Sequence, residues 1–237
     1  MAAICPLLLC RKYRINYFNT VNVHNYDADI SNYTRKARGW MNGTVPVNSQ
    51  FWVGEWGIYG IRYNDLSLAL SLIKNLIRGS QLGDNCIYGS HIFCLYGWGK
   101  PGLPEGLLGL SGQRRAGYSA LRMGIRALQG GKASLFPITN SSDLMAVANL
   151  DYRNNVYLLA VNYRAKSYTV NADISALIKT GNGTVRELSL KAMDEVVGSL
   201  TLKGGNPTFA VRGRALFSLS SIARIESQIL GVRIGIT

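Results

Sequence analysis

One carboxylate set between two indoles is the stretch of this sequence with the clearest chemical potential: Phe51-Trp52-Val53-Gly54-Glu55-Trp56-Gly57-Ile58-Tyr59. The apolar run Phe51 to Val53 reads as a strand buried on both faces, as in a parallel sheet covered by helices, with Gly54 and Gly57 marking its end. Residues at the carboxyl ends of such strands meet a crevice and not a core, which places Glu55 to attack or to move a proton. Flat rings such as those of Trp52 and Trp56 pack on the C–H face of a sugar while a carboxylate reaches its polar atoms. A surface turn after a core strand is the alternative that this segment leaves open.

Two further groups sit where a site would need them. Tyr17 to Tyr26 reads as a strand, and an extended chain puts the side chains of His24 and Tyr26 on one face. A single histidine of this kind is more often a satisfied structural residue than a catalytic one. The run His91 to Tyr96 is a second apolar strand, and it ends in the loop Gly97-Trp98-Gly99-Lys100-Pro101-Gly102, which brings another indole to a strand end.

The elements that would position these groups alternate. Leu66, Ala69, Leu70, Ile73, Leu76 and Ile77 recur at spacings of three and four, so a helix capped by Asn64 or Asp65 and stopped near Gly79 is expected. A second helix is expected over about 114–129, with Tyr118, Leu121, Ile125 and Leu128 on one face and Gly130-Gly131 as its stop. Strand, helix, strand, helix at this spacing predicts parallel βα units. Residues 27–50 are polar and read as a long loop holding one irregular helix. Beyond 133 the pattern becomes short strands at 144–150, 156–162, 167–172, 184–188, 199–202, 208–211 and 215–220, separated by Asn-, Gly- and Lys-rich turns, which predicts a small antiparallel sandwich. The expected division is therefore 1–133, a barrel portion; 134–222, a sandwich folding as an autonomous unit; and 223–237, a tail without a clear role.

Composition bounds the partners. With 47% hydrophobic and 16% charged residues the chain is globular. The net charge of +13 is spread along the chain, fifteen Lys and Arg against six acids in 1–133 and eleven against seven in 134–237, with no basic run longer than a pair. That diffuse basicity gives no reason to expect a nucleic-acid partner, although a basic nucleic-acid-binding protein stays as a third reading. No metal-ligand or cofactor motif appears, so neither a metal nor a cofactor is expected. Cys86 and Cys94 are too far apart for a disulfide if the segment between them is extended. The run Pro6 to Leu9 is too short to span a membrane and lacks a basic segment before it, so no membrane partner is expected. Four Asn-X-Ser/Thr triplets, at Asn32, Asn42, Asn140 and Asn182, would matter in a secretory pathway, and localisation stays open.

Taken together, these segments resemble the carboxyl-terminal part of a clan-A glycoside hydrolase, a TIM-barrel retaining glycosidase of the family 5, 30 and 39 kind followed by a β-sandwich. The resemblance runs from about residue 15 to 222. It implies that Phe51 to Gly57 corresponds to the seventh barrel strand with Glu55 as nucleophile, that His24 or Tyr26 in Val23-His24-Asn25-Tyr26 orients it, and that Trp98 and Trp56 form sugar platforms. The helix with Gln-Arg-Arg-Ala-Gly-Tyr-Ser-Ala-Leu-Arg resembles the last barrel helix. The substrate implied is an oligosaccharide or glycoside.

One departure is large. The clan's acid/base is the Glu of an Asn-Glu pair, and no Asn-Glu dipeptide occurs in this sequence. A retaining mechanism needs a second carboxyl group about 5 Å from the first, and Glu105, in a turn-like Pro-Glu-Gly, fills that role poorly. The expected fold is thus a partial barrel of about three βα units plus the sandwich. The functional readings are a glycoside hydrolase or truncated derivative, or a non-catalytic carbohydrate-binding or structural remnant. An open barrel also leaves an unpaired edge at Tyr17 to His24, through which self-association is expected.

Overall fold

A computed structural model describes residues 20–26, 29–41, 50–57, 65–80, 89–92, 94–95, 106–128, 131–135, 138–139, 144–151, 155–173, 180–189, 193–204, 208–213, 215–222 and 233–236. Trp98, Glu105 and Cys86 lie outside them. The first three strands, β1 (Thr20–Tyr26), β2 (Gln50–Gly57) and β3 (Gly89–Ile92), are parallel and ordered β1-β2-β3. Parallel neighbours need long crossovers. Here these carry helices α1 (Ile30–Met41) and α2 (Asp65–Ser80), and α3 (Ala116–Leu128) follows β3.

The segment expected to be mostly loop therefore holds a regular twelve-residue helix. Among its described side chains the buried ones are Ile30, Ser31, Thr34 and Ala37, a helical stripe made mostly of small residues, which carries little hydrophobic signal. Asp29 caps it, accepting hydrogen bonds from the Ser31 and Asn32 amides at 2.9 and 3.3 Å and from the Ser31 hydroxyl at 2.6 Å, and also pairs with Arg78 near the end of α2. Burial alone would push the Asp29 carboxyl up; the hydrogen bonds and Arg78 outweigh it and hold the group below its ordinary range.

The remaining strands are β4 (Gly131–Leu135), β5 (Ile138–Thr139), β6 (Leu144–Asp151), β7 (Asn155–Asn162) and β8 (Tyr168–Asp173), then β9 (Thr180–Leu188), β10 (Met193–Lys203), β11 (Thr208–Val211), β12 (Ala215–Ile222) and β13 (Arg233–Ile236). Six of them form an antiparallel sheet in the order β10-β9-β12-β7-β6-β4. Four form a second sheet, β11-β8-β13-β5, in which β13 runs parallel to β5 and antiparallel to β8. The sheets approach each other where β11 meets β12 and β5 meets β6. Two boundaries differ from expectation: β4 straddles residue 133, and the supposed tail supplies β13 to the middle of a sheet. The second sheet is mixed, not antiparallel throughout.

The α2–α3 pair is the centre of the molecule, because it is buried on two sides. Leu68, Leu72 and Leu121 pack with Phe51, Val53 and Trp56 of the parallel sheet. Leu66, Ala69, Leu70, Ile73, Ile77, Ala116, Ala120, Met123 and Ala127 pack with Val147, Leu159, Val161, Leu188 and Leu216 of the six-stranded sheet. The apolar stripe read from the sequence of α2 thus faces the six-stranded sheet, and the face toward the parallel strands is a narrower one. The helices meet closely at Gly124, where a Cβ would stand 2.6 Å from Leu76 Cδ2 and 2.8 Å from Ile73 Cδ1. Gly124→Ala gains about 1 kcal/mol in helix propensity but overpacks against the fully buried Ile73, at a cost of roughly 1–3 kcal/mol. We expect a net loss of stability in urea unfolding; a stabilised variant would show that the helices separate freely.

Charge ties the same layers. Asp194, in β10, has a side chain with no exposed surface and a left-handed backbone at φ 57. The β9–β10 register slips there, Met193 pairing with Leu188 and Glu195 with Glu187, so that Asp194 is the extra residue of a bulge. Its carboxylate accepts from Arg122 Nε of α3 at 2.6 Å and from Arg186 Nε of β9 at 2.7 Å; Arg122 also pairs with it through Nη2, and Arg126 Nη1 stands at 3.9 Å. Arg186 also donates to the Asp194 carbonyl at 2.6 Å. Among the described residues, no helix is long and apolar enough to cross a membrane.

Candidate active site

In a regular strand, residues 51, 53 and 55 would share a face. In β2 they do not. Val53 pairs with Val23 and Ser90, but the next pairs are His24 with Glu55 on one side and Ile92 with Trp56 on the other, so β2 carries one residue more than both neighbours. The extra residue is Gly54, and the bulge turns the following side chains over. Phe51, Val53 and then Trp56 face the helices, buried to 0%, 0% and 3% exposure, while Trp52 and Glu55 stay half-buried on the opposite face. A Cβ at 54 would lie 2.2–2.6 Å from the side-chain amide of Asn22 on β1, an exposed group that would have to swing aside. β2 is therefore buried on one face, not on both.

Glu55 Oε2 accepts a hydrogen bond from the Tyr26 hydroxyl, and His24 Nδ1 lies 3.4 Å from the same oxygen. The His24 and Tyr26 rings meet edge-on, their centres 6.5 Å apart. The Glu55 side chain is 37% exposed and His24 54%, so the group is accessible at the end of its strand. Three strand positions expected from the sequence to work together, His24, Tyr26 and Glu55, are in contact. The bulge and the in-register pair His24–Glu55 bring them together, for Tyr26 lies two residues beyond His24 on the same face.

Trp56 is not a platform. It belongs to the core between the parallel sheet and the helices, because the bulge sends it inward. Trp52 takes the open face instead, its indole nitrogen donating to Gln50 Oε1 at 3.3 Å and its ring 5.7 Å from that of His91 on β3. His91 reads in the sequence as the first residue of an apolar run; its register opposite the Trp52 layer is visible only once the strands are paired. Trp98 lies outside the described residues.

Three other described carboxylates are engaged elsewhere: Asp29 with α1 and Arg78, Glu187 with Arg212 at 3.2 Å, and Asp194 with its arginines; Glu195 is exposed on β10. No group of three or more His, Cys, Asp or Glu suited to a metal ion occurs among the described residues. The arrangement is a half-exposed carboxylate with one oxygen bonded by a phenol and near an imidazole nitrogen, beside a tilted indole–imidazole pair.

No protein-family model matches the chain, and no curated protein matches it in sequence. Solved structures do match. A GH30 endoxylanase from Clostridium papyrosolvens C71 superposes with a TM-score of 0.59 at 13% identity, over 86% of this chain and 49% of that one. A glucosidase from Croceicoccus marinus gives 0.67 at 13% identity, over 88% and 54%. A GH39 enzyme from Xanthomonas axonopodis pv. citri gives 0.63 at 14% identity, over 92% and 57%. At such identities the likeness is one of fold. This chain has the partial fold of clan A TIM-barrel glycoside hydrolases and spans about half the length of those it matches.

Proposed function

We propose that this chain carries the nucleophile side of a retaining glycoside hydrolase site, with Glu55 as the nucleophile. The observation that carries this reading is the place of Glu55 toward the carboxyl end of a parallel strand, its Oε2 bonded by the Tyr26 hydroxyl with His24 Nδ1 3.4 Å away. Fixing one oxygen lowers the freedom of the carboxylate and leaves Oε1 to attack an anomeric carbon, forming a glycosyl ester as the leaving oxygen departs. Trp52 and His91 supply ring faces beside it, and Trp98 is proposed as a further platform. The two β-sheets are, in this reading, the accessory β-sandwich of such enzymes, and β1, outermost in its sheet, is the edge for self-association.

The leaving oxygen of a natural glycoside needs a proton, and with no Asn-Glu pair in the sequence no acid is assigned to deliver it. Losing general acid catalysis costs about a hundredfold to ten-thousandfold. A dinitrophenolate leaves without protonation, so the first half-reaction is testable by itself. Dinitrophenyl 2-deoxy-2-fluoro xylosides, glucosides and arabinofuranosides should label Glu55, read as a mass increase on its peptide, while unactivated oligosaccharides are not turned over. Labelling of another residue, or hydrolysis that survives Glu55→Gln, would sink the assignment. Saturable sugar binding without any labelling would favour a carbohydrate-binding remnant, the reading that the absent Asn-Glu pair supports.

Tyr26→Phe removes a hydrogen bond to a charged group, worth roughly 1.5–3 kcal/mol. Labelling should slow about tenfold to a hundredfold with the fold intact by circular dichroism. An unchanged rate would make the Tyr26 contact incidental.

A further inference from the structure

The tie between α3 and the sheet edge has a charge imbalance that its structural role leaves unfilled. Three guanidinium groups, Arg122, Arg126 and Arg186, converge on the single carboxylate of Asp194. One negative charge faces three positive ones. Glu195, next in the chain and exposed, makes no ion pair with them. The carboxylate itself is wholly enclosed, but the arginine side chains are 30%, 49% and 28% exposed, so part of each is open to solvent. Each guanidinium has five donors in a planar fork. Arg122 spends Nε and Nη2 on Asp194, Arg186 spends Nε on the carboxylate and Nη2 on the Asp194 carbonyl, and Arg126 has Nη1 alone nearby.

We infer that this seam between α3 and β10 binds an anion, a sulfate, phosphate or carboxylate group, through the outward donors of Arg126, Arg122 and Arg186. Asp194 positions the arginines without neutralising them: it fixes two of the forks by short charge-assisted bonds, so little side-chain entropy is left to lose when an anion arrives. The backbone bulge at Asp194 is what turns that carboxylate inward toward both α3 and β9. The site is built from elements other than the strand that carries Glu55.

Isothermal titration of the full chain at fixed ionic strength tests this in two arms: sodium sulfate and sodium phosphate in one, and sulfated or uronate-bearing oligosaccharides against neutral ones in the other. Saturable binding is expected in at least one arm, and the arm that responds identifies the source of the anion. Arg126→Gln should weaken it about tenfold, the loss of one charge-assisted contact. Arg126 is the variant of choice because it is the most exposed of the three and the farthest from Asp194, so the fold should tolerate its loss. Arg35→Gln, which removes an equal charge from an exposed arginine of α1 bonded to Asn32, should leave binding unchanged. No saturable binding in either arm, or equal weakening by both variants, would overturn the inference and return the effect to the diffuse charge of +13.

Discussion

Asp194→Ala is expected to destabilise the chain by about 3 kcal/mol, the lower end of the cost of breaking a buried ion pair. The lower end applies because Arg122 and Arg186 are about a third exposed and water can replace part of what they lose. For a chain of this size the shift corresponds to roughly 6–12 °C in melting temperature. Two causes act together in the alanine variant: three guanidinium groups lose their shared anion, and alanine must hold a left-handed backbone at φ 57 that aspartate and asparagine accept more readily. Asp194→Asn separates them, since it keeps the backbone preference and one acceptor but removes the charge, and it should fall between wild type and alanine. A loss below 1 kcal/mol in urea unfolding of Asp194→Ala would mean that the carboxylate does not tie α3 to β9.

Nothing in the sequence announced that tie. Arg122 and Arg126 are one helical turn apart, but Arg186 and Asp194 come from two strands of the six-stranded sheet, and convergence of charges from three elements has no period to read. The signals that were legible were the periodic ones. The α2 stripe, the strand ends at Tyr26 and Glu55, and the strand at 208–211 follow from spacing alone, and the placement of His24 and Tyr26 on one face needed only the two-residue repeat of an extended chain. Gly54 was visible as well, but as the end of a strand and not as a bulge inside it. That difference decides which indole faces the open side of the sheet: a strand ending at Gly54 leaves Trp52 and Trp56 equivalent, whereas a bulge buries Trp56 and exposes Trp52. The regular helix at 30–41 escaped because, of its described buried side chains, Ser31, Thr34 and Ala37 are small and carry little hydrophobic signal beside Ile30.

The sheets beyond residue 130 are expected not to fold without the helices before them, against what their short local turns suggest. Local pairing is there, for β6 joins β7 and β9 joins β10 as neighbours in sequence. The core is not local. Val147, Leu159, Val161, Leu188 and Leu216 of the six-stranded sheet are buried against α2 and α3. Five aliphatic side chains returned to water cost about 10 kcal/mol, at 1.5–3 kcal/mol each, which equals the whole stability of a typical domain. The Asp194 carboxylate would also lose Arg122 and Arg126. Residues 131–237 expressed separately should therefore bind a hydrophobic dye, lack near-ultraviolet dichroism and unfold without a sharp transition, as a compact but loosely packed state does. The counterpart is a chain beginning at Asp65, which restores α2 and α3 and should recover a cooperative transition even though β1 and β2 are gone. A sharp two-state unfolding of 131–237 would show that the second sheet, with β13 at its centre, supplies a core sufficient by itself, and that the helices are joined to the sheets by contact and not by shared stability.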